Sequence, residues 1–92
     1  IFYNIYFAMQ DELILKKIIK ILEEKKNIPY KYKKKIYNFK YLDLGYVDSL
    51  ELISFVFNIE KNFKIRIYDN DFNSSNFRTI GGLIKIIKKK LK

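Results

Sequence analysis

"LGYVDSLELISFVFNIEKNF", residues 44–63, decides the fold. Leu52, Val56, Ile59 and Phe63 recur at the alternating four-and-three spacing of one helix face. Ile53, Phe55 and Phe57 widen that face. The pattern predicts a helix from Ser49 to about Asn62. Its girth is apolar nearly all round, so it is expected to be the most buried helix of the chain. Ser49 stands at its start, where a serine N-cap would satisfy an orphan backbone N–H. Gly45 lets the chain turn tightly just before it.

Upstream, "QDELILKKIIKILEEKK" (10–26) reads as an amphipathic helix on Ile14, Ile18, Ile21 and Leu22, with Leu15 and Ile19 beside them. Asp11 and Glu12 are expected in its first turn and Lys25 and Lys26 in its last, each favoured there by the helix dipole. Asn27 and Pro29 should stop it. Residues 27–48 have no clean period and form a long connection, with Ile36, Phe39 and Leu42 as candidate anchors. The run from Lys31 to Lys35 reads as a solvated face.

Downstream, "FKIRIYD" alternates like a strand at Phe63, Ile65 and Ile67, but no second strand exists to pair with it. An isolated strand leaves backbone groups unsatisfied. The stretch is expected to be an extended link into a short helical turn around Asp69–Phe72. Thr79 then caps a last helix carrying Ile80, Leu83, Ile84, Ile87 and Leu91. Gly81 and Gly82 in its first turn should weaken it by about 1 kcal/mol each relative to alanine. Lys88, Lys89, Lys90 and Lys92 suit its C-terminal end. The expected fold class is therefore all-α: three main helices, one short helix and a long first loop.

At 92 residues the chain is one domain with a modest core, and at 49% hydrophobic it should fold. It has no cysteine and no histidine. Disulfides, thiolate metal sites and a catalytic thiol of the chain's own are excluded, and the commonest general base and metal ligand are missing. These gaps count against hydrolases and against zinc or iron enzymes. The formal charge is +9, distributed unevenly. Residues 1–42 carry ten lysines against four acids, residues 73–92 six bases and no acid, and residues 43–72 six acids against three bases. Basic flanks thus surround an acidic centre that holds Ser49. Abundant Ile, Lys, Asn, Phe and Tyr all have AT-rich codons, which accounts for much of the lysine. "IFYNIYFAM" is apolar but far shorter than the ~20 residues that span a membrane, and it lacks the basic start of a signal peptide. A cytoplasmic location follows as the expectation. Residues 1–9 are expected to be an N-terminal extension, packing on the domain or on another copy, or an expression remnant ahead of Met9. The domain itself would occupy 10–92.

The order of features is more telling than any one of them: Leu44-Gly45, Asp48-Ser49-Leu50, an apolar helix with Glu60 and Phe63, Ile65 and Ile67 before Asp69, then "NFRTI" (76–80) opening the last helix. Here the chain resembles the acyl and peptidyl carrier proteins over about residues 10–91, most closely over Leu44–Asp71. The resemblance implies a small four-helix bundle of the acyl-carrier type. It also implies that Ser49 carries a 4′-phosphopantetheine arm, attached by a phosphopantetheinyl transferase, which holds cargo as a thioester. Partner recognition would fall on Asp48, Leu50, Glu51, Ile53 and Glu60. The protein would be no enzyme but a monomeric, tethered substrate, with no catalytic residue and no metal of its own. A phosphodiester at a helix N-terminus also meets free N–H groups and the positive end of the dipole.

Two departures refine that expectation. Tyr46 and Val47 both separate Gly45 from Asp48, where many carriers have one residue. The longer form is similar to discrete carriers served by dedicated adenylating acyl or aminoacyl ligases, such as D-alanyl carriers. Ser54, Lys61 and Asn62 stand where housekeeping carriers are acidic. A specialised pathway with its own ligase, acyltransferase or synthase therefore fits better than general fatty-acid synthesis. Phe55, Phe57, Phe63, Phe72 and Phe77 are expected to fill the space between helices and favour short or amino-acid cargo. The competing readings are a basic nucleic-acid-binding helical domain and a carrier-like docking subunit without the arm. No basic recognition helix or stacking-aromatic sheet motif supports specific nucleic-acid binding, and the intact Asp48-Ser49-Leu50 argues against the armless subunit.

Overall fold

A computed structural model describes the backbone of residues 2–24 and 26–91 and the side chains of 10–24 and 26–91. The described chain is all-helical. Four α-helices, α1 (Phe2–Leu22), α2 (Leu52–Phe63), α3 (Asp69–Phe72) and α4 (Ile80–Lys90), are joined by 3-10 segments at Tyr30–Asn38 and Ser75–Arg78.

Helix α1 differs from its expected bounds at both ends. It begins at Phe2, because no glycine or proline interrupts the apolar run that precedes Met9. Asp11 and Glu12 therefore sit mid-helix and not in a first turn, and Asp11 pairs with Lys88 of α4 at 2.7 Å. The helix ends at Leu22, short of Asn27. There the Glu23 carboxylate accepts the Ile28 N–H at 2.8 Å and turns the chain back. The expected stripe is realised: Ile14, Ile18 and Leu22 are buried, with Leu15, Ile19 and Ile21 packed at their edge. Lys25 and Lys92, expected to complement helix ends, lie outside the described residues, as do the side chains of 1–9.

The long connection is more ordered than its sequence suggests. Tyr30–Asn38 winds as a 3-10 segment with a kink at Lys35, and Ile36 beneath it is buried. Ile36 and Phe39 anchor it as expected, and Leu42 packs at the core's edge. Tyr41, an unexpected core residue, is fully buried. Its hydroxyl donates to the Phe77 carbonyl, and burial pushes its pKa well above that of an ordinary phenol.

The centre of the fold is α4, not α2. Ile80, Leu83, Ile84, Ile86 and Ile87 are all buried, and α4 packs on both 3-10 segments and on α1. Thr79 caps it as expected, its Oγ1 accepting the Gly82 N–H at 3.0 Å. Helix α2 buries only Phe55, Ile59 and Phe63. Ile53 and Phe57 face outward at 67% and 64% exposure, because no described element covers that side of α2. The expected aromatic filling is thus partial. Phe55, Phe63 and Phe77 are core, Phe57 is solvent-facing, and Phe72 stacks on Phe77 from the rim with ring centroids 5.0 Å apart. Beyond α2 the chain reverses at Lys64 and runs extended through 65–68 into α3, as the unpaired alternation implied.

Candidate functional site

Gly45 takes φ 78°, the left-handed region. A β-carbon there would meet nothing within 4 Å, so backbone conformation, and not space, calls for glycine. The Gly45 N–H donates to Leu42 O at 3.1 Å and the Tyr46 N–H to Tyr41 O at 2.9 Å, closing the turn. Tyr46 and Val47, the two residues that lengthen the motif, are both buried. The Tyr46 ring lies edge-on to Phe39, its hydroxyl donates to Asn27 O at 3.1 Å, and Lys26 Nζ stands 4.9 Å from its centroid. These contacts fix the chain just before Asp48.

Asp48 and Glu51 then form a reciprocal cap. The Glu51 N–H donates to Asp48 Oδ1 at 2.8 Å, and the Asp48 N–H donates to Glu51 Oε1 at 3.2 Å. This corrects the helix start and the N-cap expected at Ser49: α2 begins at Leu52, and the reciprocal bonds of Asp48 and Glu51 cap the turn that leads into it. The signal was in the sequence, since Asp48 and Glu51 have the three-residue spacing of a capping box. Relieved of capping, Ser49 is exposed, and its hydroxyl makes no hydrogen bond among the described residues. The N–H groups of Ser49 and Leu50 have no backbone acceptor there either. An outward hydroxyl thus stands beside two donors without a backbone acceptor, in the turn just ahead of the positive end of α2.

Leu50 is 89% exposed. It sits in the entry turn, and Ile53 and Phe57, four residues apart on α2, share an outward face, so an exposed apolar strip continues from Leu50 along the helix. Five of the six residues singled out from sequence are therefore gathered at this end: Asp48, Ser49, Leu50, Glu51 and Ile53. Glu60 is not. It lies nine residues beyond Glu51, and its carboxylate accepts the Ile67 N–H at 2.8 Å, tying down the extended link. Phe57 was expected in the core, and its outward position adds it to the strip.

A cavity of about 60 Å³ opens between Ile21 and Leu22 of α1, Tyr46 and Val47 of the turn, and Phe55 and Asn58 of α2. A buried water needs ~10–15 Å³ on this measure, so the opening, which Glu24 and Glu51 also line, is a small one. Among the described residues no cluster of acids could hold a metal ion, and no helix is long and apolar enough to cross a membrane. Comparison of the chain with protein-family models, with curated proteins and with solved structures finds no match.

Proposed function

We propose that the protein is a discrete acyl or aminoacyl carrier in which Ser49 is the attachment point for a 4′-phosphopantetheine arm. The observation that carries this reading is the state of Ser49: exposed, not consumed by capping, and set in the turn that leads into α2, where its own N–H and that of Leu50 have no backbone acceptor among the described residues. The residues present fit such a group. An anionic phosphodiester on Ser49 Oγ would meet the Ser49 and Leu50 N–H groups and the helix dipole. Asp48 spends one carboxylate oxygen on the cap, leaving the other for a modifying transferase. Leu50, Ile53 and Phe57 offer partner enzymes an apolar contact beside the arm. The arm's terminal thiol would supply the one nucleophile and hold cargo as a thioester.

The helix order supports a bundle of the acyl-carrier type: long helix, irregular connection, second helix, an extended link to a short α3, and a final α4. On this reading the protein is a cytoplasmic, monomeric carrier and not a catalyst. Tethering would raise the cargo's effective concentration at each partner's active site. The small cavity and the near-absence of acids along the exposed side of α2 favour a dedicated ligase and small cargo over general fatty-acid synthesis.

The test is intact mass after incubation with coenzyme A, magnesium and a phosphopantetheinyl transferase. A phosphopantetheine adduct is expected on the wild type and not on Ser49→Ala. Persistent absence of the adduct with several transferases, while the protein remains folded, would refute the assignment.

A further inference from the structure

The charge of this chain is sorted along α2. Residues 41–60, which include the Ser49 end, carry four acids and no base. Residues 61–91 carry eight bases against two acids, a balance of +6. At the far end of α2 two adjoining open grooves collect that charge. One is lined by Lys64, Arg66, Tyr68 and Lys90. The other is lined by Lys85, Lys89, Lys90 and Asp71, among others. Lys90 belongs to both, and its Nζ is 2.7 Å from Asp71 Oδ2, which neutralises that acid. Lys64, Arg66, Lys85 and Lys89 are exposed. With 12 residues at ~1.5 Å each, α2 holds this pole roughly 18 Å from the Ser49 end.

We propose that this pole docks the protein on an anionic phospholipid surface, leaving Ser49 turned toward water. Long lysine and arginine stems let their charges reach a plane of headgroups from a curved surface. Tyr68, 62% exposed amid those charges, has the amphipathic ring that settles at a membrane–water interface. Single-stranded nucleic acid fits less well. It needs rings with open faces for successive bases, whereas Lys90 Nζ stands 4.9 Å over Tyr68 and Phe72 is stacked on Phe77. The lysines of Tyr30–Asn38 are spread along a 3-10 segment that kinks at Lys35, and none of them lines the two grooves at the far end of α2.

The experiment is co-sedimentation with vesicles of phosphatidylcholine alone or mixed with phosphatidylglycerol. Binding is expected only to the mixed vesicles and should weaken with salt. A basic residue near such a surface contributes about fivefold in affinity, so the combined Lys64→Gln, Arg66→Gln, Lys85→Gln and Lys89→Gln variant should lose on the order of several hundred-fold. A charge-matched variant with Lys31→Gln, Lys34→Gln, Lys35→Gln and Lys40→Gln should keep most of the binding. The cysteine-free chain allows a second readout. An environment-sensitive fluorophore on Tyr68→Cys should shift to the blue on vesicles, and one on Ser49→Cys should not. No binding to the mixed vesicles, equal loss in the two charge variants, a shift at Ser49→Cys, or tighter binding to a single-stranded oligonucleotide at the same salt would each overturn the proposal. None of these measurements involves the arm, so the outcome is independent of the carrier reading.

Discussion

Replacing Gly82 by alanine sets two effects of opposite sign against each other. Helix propensity alone favours the change, since alanine stabilises a helix interior by about 1 kcal/mol over glycine. The structure opposes it. A β-carbon on Gly82 would stand 2.0 Å from the Asn76 carbonyl oxygen and 2.6 Å from both Asn76 C and Asn76 Cα. Those are backbone atoms of the 3-10 segment that seats Phe77, so no side-chain rotation relieves the contact. Either α4 or the Ser75–Arg78 segment must move, and Phe77, Tyr41 and Ile80 are fully buried around that junction. Overpacking of this kind costs about 1–3 kcal/mol, and a backbone clash belongs at or beyond the upper end. The net expectation for Gly82→Ala is a loss of about 2 kcal/mol. For a domain of this size that corresponds to a fall in Tm of roughly 8–16 °C. Thermal unfolding followed by far-UV circular dichroism measures it. Gly81→Ala is the internal comparison. Its β-carbon would approach the Tyr37 carbonyl oxygen at 2.8 Å, a milder conflict that should lower Tm less. A rise in Tm for Gly82→Ala would mean that helix propensity governs this position, and the close approach of α4 to Asn76 would be wrong.

Two further outcomes follow from the same structure. Asp71 is held below the usual carboxylate range: burial would raise its pKa, but hydrogen bonds from Lys90 and from the Tyr68 N–H, with the charges of Lys90 and Lys89, outweigh it. A depressed folded pKa gives stability that is present above the unfolded value and lost as pH falls through the folded one. The Tm advantage of the wild type over Asp71→Asn should therefore hold near neutral pH and shrink once pH drops below the ordinary carboxylate range; an advantage that grows on acidification would contradict the Lys90 pairing. If Ser49 carries the arm, loading it with a medium-chain acyl group should leave Tm nearly unchanged, because the cavity of about 60 Å³ beside the site is too small to take the chain. A large stabilisation, or a thioester protected from hydrolysis, would show that the bundle opens to admit it.

Local chemistry explains which features were legible in the sequence. Thr79, three residues ahead of Gly82 and followed by apolar residues at helical spacing, announces its own cap. The unpaired alternation at Ile65 and Ile67 implied an extended link, because a lone strand has no backbone partner. Other features depend on contacts between distant residues. Tyr41 is core because its hydroxyl meets the Phe77 carbonyl 36 positions away. Ile53 and Phe57 lie outside because of how α2 is covered, which its own periodicity does not record. At the site, serine and aspartate are both good caps, and their adjacency hid which one serves. Glu51 resolves the choice in favour of Asp48.

The anchoring of Tyr46 and Val47 governs how anything fastened at position 49 can travel. Both side chains are buried, and Tyr46 is held by the Phe39 ring and by its hydroxyl's bond to Asn27 O, so the root of such a tether would not sway with a loose loop. A partner of such a carrier would meet one posture of the pivot, and the sweep of the load would be set by the length of the tether and by the tumbling of the whole protein.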